Sequence, residues 1–147
     1  MSKSMRRIVI SVIILVALIG GAFFVFGPQG PHEDQAPVKA TSNLIRVSTP
    51  QPNEQIQSPL AISGEARGNW FFEATFPVVL TNWDGLIIAE SYATAKGEWM
   101  TTDFVPFTAT LNFQKPIYGE RGYLILKKDN PSGLPEHDDA LEVPVRF

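Results

Sequence analysis

From residue 43 to the C-terminus the sequence predicts an all-β domain, an antiparallel β-sandwich of about seven strands, preceded by one N-terminal transmembrane helix. Three observations lead there. Beyond residue 43 apolar residues recur at every second position, the period of a strand with one face buried, and no stretch holds helical spacing. Turn residues interrupt these runs at short intervals. Before them, Ile8 to Phe26 reads IVISVIILVALIGGAFFVF without a charge, long enough at about 1.5 Å per residue to cross roughly 30 Å of hydrocarbon.

The leading segments follow in order. Residues 1–7 carry Lys3, Arg6 and Arg7, whereas the stretch after the apolar run carries Glu33 and Asp34. The positive-inside rule therefore places the N-terminus in the cytoplasm and the rest of the chain outside. A cleaved secretory signal is the competing reading, because Ala17 and Gly20-Gly21-Ala22 supply small residues. Its apolar region is usually about 7 to 15 residues long, and here Phe23 to Phe26 extend the run. Residues 27–42, GPQGPHEDQAPVKATS, contain three prolines and no apolar period, so they read as a flexible tether that cannot build a core.

Residues 43–147 then read strand by strand. Leu44–Ser48 is a first strand, followed by a Pro50-Gln51-Pro52-Asn53 turn, and Leu60–Ala66 is a second. In GEARGNWFFEATF, Gly64 to Phe76, and its continuation, Phe72, Ala74, Phe76, Val78 and Leu80 share one phase. Phe71, Glu73, Thr75, Pro77 and Val79 share the other. Pro77 lacks a ladder donor and is expected at a bulge or a free edge. Asn82-Trp83-Asp84-Gly85 forms a hairpin turn, Leu86–Tyr92 returns, and Glu98–Thr101 adds a short strand. Phe104–Phe113 alternates with Phe107, Ala109, Leu111 and Phe113 inward. Gly122–Lys128 is a compact apolar strand, and Leu141, Val143, Val145 and Phe147 close the domain.

Strands of this number and spacing suggest an immunoglobulin-like sandwich. The strings SPLAISGEARGNWFFEATFPVVL, WDG, GEWMTTDFVPFTATLNF, DNPSGLPE and LEVPVRF, in order from Ile45 to Phe147, resemble the immunoglobulin-like domain family of bacterial spore-germination proteins, the Gmad type. The resemblance implies an immunoglobulin-like β-sandwich in an exported, often membrane-anchored bacterial protein, with a link to germination in the family's name and no established activity. Members often have larger architectures, whereas here one recognisable module follows an anchor.

Composition excludes several chemistries. Cysteine is absent, which removes disulfides, thiol nucleophiles and cysteine-based zinc sites. Residues 27–147 hold nine basic and fifteen acidic side chains, so no nucleic-acid partner is expected. The two histidines, His32 and His137, provide neither a metal pair nor a Ser-His-Asp relay, and no phosphate loop or dinucleotide fingerprint occurs. Neither an enzyme nor a cofactor is expected. Asp129, Asn130, Glu136, Asp138 and Asp139 are oxygen-rich, but their spacing departs from a calcium loop and fits a solvated turn.

The expected interaction surface comprises Arg67, Trp70, Phe71, Glu73 and Trp99. Arg67 and Glu73 flank Gly68-Asn69 and are expected to meet across a hairpin between the second and third strands, either as an exposed ion pair or with Arg67 clamping a carboxylate or phosphate. Phe71 lies on the outward phase. Trp70 and Trp99 are expected to cap an end of the sandwich, and Trp70, Trp83 and Trp99 are the candidate platforms for a sugar. Two functions remain open: a membrane-anchored, extracytoplasmic module that binds another envelope protein, and a carbohydrate or peptidoglycan module.

Overall fold

A computed structural model describes residues 42–147, so the expected anchor and nearly all of the expected tether lie outside the described residues. Seven strands form: β1 (Ile45–Thr49), β2 (Leu60–Arg67), β3 (Thr75–Asn82), β4 (Ile87–Ala95), β5 (Phe104–Leu111), β6 (Arg121–Lys127) and β7 (Ala140–Arg146). Short 3-10 turns occupy Gly68–Trp70 and Pro135–His137. All strand pairs are antiparallel, in the order β1-β2-β5-β4-β3-β6-β7.

This order wraps into a nearly closed barrel of immunoglobulin-like type, with two halves facing each other across one core. β1-β2-β5 form one half and β4-β3-β6-β7 the other. They join only where Thr94 pairs with Thr108 and Ala95 with Phe107. Beyond that seam β4 and β5 diverge, and the Ser91 hydroxyl donates to the Thr110 carbonyl at 2.9 Å across the gap. On the other side, residues 53–56 run along β7. Asn53 N–H donates to Pro144 O, Arg146 N–H to Glu54 O and Ile56 N–H to Arg146 O, which covers an edge that would otherwise invite pairing between molecules.

The registers place Ile45, Arg67, Thr75, Ala95, Phe104 and Lys127 at one pole, where the chain leads in from Ser42. The far pole holds Thr49, Leu60, Asn82, Ile87, Leu111 and Arg121. Pro77 sits where the sequence requires. The β3–β6 ladder begins at Val78, so β3 has no partner on that side at the proline.

The stretch from Gly64 to Phe76 departs from its expected phase. Residues 68–74 are not a strand. Gly68 opens a 3-10 turn in which the space for a Cβ is filled by the backbone carbonyls of Trp99 and Thr101, a close approach that only glycine allows. Trp70 and Phe71 both turn inward, at 1% and 4% exposure. A two-residue turn follows, with Phe72 N–H bonded to Thr75 O and Thr75 N–H to Phe72 O, each at 3.0 Å. Glu73 and Ala74 carry φ values of 49° and 63°, the left-handed pair of a type I′ turn. Phe72 is therefore 42% exposed, and the expected assignment of Phe71 outward and Phe72 inward is reversed. The segment expected as a strand at Glu98–Thr101 is a loop packed over Gly68.

Phe76 is the centre of the core. Its ring lies edge-on to Phe107 of β5 at 4.9 Å, tilted to Phe71 at 5.3 Å and edge-on to Trp70 at 6.5 Å. The Trp70 indole N–H has no acceptor among the described residues, so apolar packing alone holds this ring. At the far pole Phe147 stacks edge-on to the half-buried Phe113 at 5.8 Å and fills the space beside Gly122.

Phe76→Ala is expected to lower unfolding free energy by about 3–5 kcal/mol and Phe72→Ala by less than about 1 kcal/mol, read by urea titration of the β domain. Replacing the turn pair with its preferred residues, Glu73→Asn with Ala74→Gly, is expected to raise stability by about 1–2 kcal/mol. A fall in midpoint would refute the left-handed assignment.

Candidate interaction surface

The five residues expected to form a surface gather at the near pole, but not as one. Trp70 and Phe71 are core. Trp99 is half-buried and packs against the core, as its capping role requires. Glu73 is exposed at its turn. Arg67 does not face it, because β2 and β3 are not neighbours: β2 pairs with β1 and β5, β3 with β4 and β6. The Arg67 guanidinium instead lies 4.0 Å over the Phe104 ring and donates to Thr102 O at 3.0 Å. Arg46 of β1 stacks on the same ring at 3.9 Å. Each such contact is worth about 0.5–1 kcal/mol at an exposed site.

The outward faces of the two halves differ in chemistry. On β1-β2-β5 the outward phase holds Arg46, Ser63, Glu65, Pro106, Thr108 and Thr110 around the stacked Phe104, the polar surface that a one-sided sheet presents to water. On β4-β3-β6-β7 exposed tyrosines lie among the charged side chains of Glu90, Arg121, Lys127, Glu142 and Arg146. There the register sets Pro77 beside Tyr92, Val79 between Glu90 and Ile125, and Thr81 beside Tyr123, which faces Pro144. Tyr92 is 63% exposed and Tyr123 41%.

The cause is visible in the two central strands. β3 reads Phe76-Pro77-Val78-Val79-Leu80 and β6 reads Tyr123-Leu124-Ile125-Leu126, apolar at consecutive positions. Such runs belong to strands covered on both faces. One phase fills the core, and in the other Val79 is itself covered at 6% exposure while Ile125 is half-buried. This was the signal that alternation alone passed over.

Two depressions flank the apolar rows. One of about 540 Å³ is lined by Trp83, Glu120, Arg121 and Tyr123. A smaller one of about 190 Å³ is lined by Pro77, Val79, Glu90 and Tyr92, among others. Trp83 is 62% exposed and rests against Gly119, whose left-handed φ of 88° lets the loop pass close to the indole. Leu86 and Ile87 extend the apolar surface around the far pole.

Among the described residues no group of three or more His, Cys, Asp or Glu side chains converges as a metal site. In the oxygen-rich loop the Asn130 amide donates to Leu134 O and to Asp138 Oδ1, at 2.8 and 2.7 Å, so the loop is tied by its own side chains.

No curated protein and no solved structure matches the chain. A family model does match, over residues 44–133, which takes in β1 to β6 and the loop after them while β7 lies beyond it. With its seven antiparallel strands and nearly closed wrap, the chain belongs to the Gmad2 family, the immunoglobulin-like domain of bacterial spore germination.

Proposed function

We propose that this chain is a membrane-anchored, extracytoplasmic immunoglobulin-like module of the bacterial cell envelope that binds another envelope protein and performs no catalysis. The apolar run Ile8–Phe26, the three cations before it and the acidic linker after it support the anchor and its orientation. Family membership supports a protein-interaction or structural role. The observation that carries the reading is the outward face of β4-β3-β6-β7, where the exposed rings of Tyr92 and Tyr123 flank the half-buried Ile125 and the buried Val79. Tyrosine at the centre of an exposed patch gives large contact area at low entropic cost, which suits it to protein interfaces. The binding surface thus lies on the sheet rather than at Arg67, Trp70, Phe71, Glu73 and Trp99.

The exposed indole of Trp83 beside Tyr123 supports a second reading, a glycan or peptidoglycan module in which that ring stacks on a sugar. Trp70 is buried and Trp99 half-buried, so Trp83 is the one tryptophan free to serve.

A photoreactive phenylalanine analogue at position 92 in the full chain, irradiated in intact cells, is expected to give discrete adducts that mass spectrometry resolves as protein. The same analogue at position 108, on the polar face, is the control. Retention on isolated sacculi that is lost with Trp83→Ala, without a protein adduct at 92, would replace the first reading with the second.

A further inference from the structure

This inference rests on the reading that the outward face of β4-β3-β6-β7 is the binding surface, and it names the occupant. Glu142 and Arg146 lie on β7 in the same outward phase, on either side of Pro144. Pro144 is level with Tyr123 of β6, which is level with Thr81 of β3. A two-fold axis in the plane of the face, crossing the strands at that level, reverses strand direction and leaves each strand over its own copy. Tyr123 then meets Tyr123 and Pro144 meets Pro144. Each Glu142 lies over the other copy's Arg146, and the operation makes that pair twice. Arg121 comes to rest over Ile125 of the other copy, beside the same Glu142, because Ile125 and Glu142 are paired neighbours.

The charges on this face favour such a match. It carries Glu90 and Glu142 as well as Arg121, Lys127 and Arg146, so carboxylates of one copy have guanidinium partners on the other. Arg146 donates its Nε–H to Asn53 O at 2.8 Å, and its two terminal nitrogens have no acceptor among the described residues. The face also has the size. Four strands spaced about 4.8 Å apart, over seven residues at about 3.4 Å each, make a footprint of roughly 20 by 24 Å. Side-chain relief brings this towards the roughly 800 Å² per partner of a standard interface. Two sheets stacked about 10 Å apart would cover the exposed Tyr92 and Tyr123 rings and the half-buried Ile125.

We propose that the occupant is a second copy of this chain, bound face to face through β4-β3-β6-β7 about a two-fold axis at Tyr123, with reciprocal Glu142–Arg146 pairs.

The absence of native cysteine makes the test clean. Tyr123→Cys in the full chain, treated in native membranes with a bis-methanethiosulfonate reagent that spans about 10 Å, is expected to give a species of twice the chain mass joined by disulfides through the reagent. Its yield should be at least tenfold above that of Thr108→Cys on the polar face. Adding Glu142→Arg should lower that yield at least tenfold, and adding Arg146→Glu as well should restore it. Equal yields at 123 and 108, or a charge reversal without effect, would overturn the second copy. If the residue 92 probe captures a different protein while Tyr123→Cys forms no dimer, the dimer falls and the interaction face stands. If the probe links to residues before Ser42 of its own chain, the occupant is intramolecular and the dimer falls. Neither adduct nor disulfide would overturn both readings.

Discussion

The fold depends on one aromatic contact made across its interior. Phe76 enters from β3 and meets Phe107 from β5, so this ring pair joins the two halves of the sheet at the centre of the core, as Phe113 and Phe147 do at the far pole. Their backbone ladders connect at only two residue pairs on that side. Phe71 and Trp70 reach the same ring from the segment that carries the chain between halves. Burying side chains of this size stabilises by roughly 1.5–3 kcal/mol each, and directional edge-on packing adds about 0.5–1.5 kcal/mol per pair. The tight turn at Phe72–Thr75 exists to bring Phe71 and Phe76 onto one centre, which is why two residues with side chains hold left-handed backbone there.

Much of this architecture was legible from alternation. β5 and β7 alternate cleanly, and the inward residues expected on them are buried or packed against the core. The family resemblance and the strand number were legible too. The stretch from Gly68 to Ala74 was not, because its turn residues are Glu and Ala, which carry no turn signal, and its 3-10 turn is too short to show a period. A reading by alternation ran straight through and exchanged Phe71 with Phe72. It also set Arg67 against Glu73 as hairpin neighbours, although the chain crosses between halves there.

The proposed interaction surface is hidden in the sequence for a different reason. Its residues come from four strands and meet only through register, so no single stretch of sequence contains it. Residue density drew attention to the near pole, where aromatic and charged side chains crowd thirteen positions. Those aromatics mostly build the interior, and Arg67 is occupied with Phe104. What the sequence did hold was the consecutive apolar run in β3 and again in β6. One outward face is made of Thr, Ser and stacked guanidinium groups, while the other sets exposed Tyr92 and Tyr123 among charged side chains.

The positions of the two chain ends also set how the domain bears tension. The chain leads in from Ser42 at one pole, and β7 ends at Arg146 at the other. A pull between those points runs parallel to the strands and perpendicular to the ladder hydrogen bonds. The β1–β2 and β6–β7 ladders are then sheared as blocks, with their bonds sharing the load, instead of being unzipped one at a time. Residues 53–56, bonded along β7, add a second row that slides only when the first does.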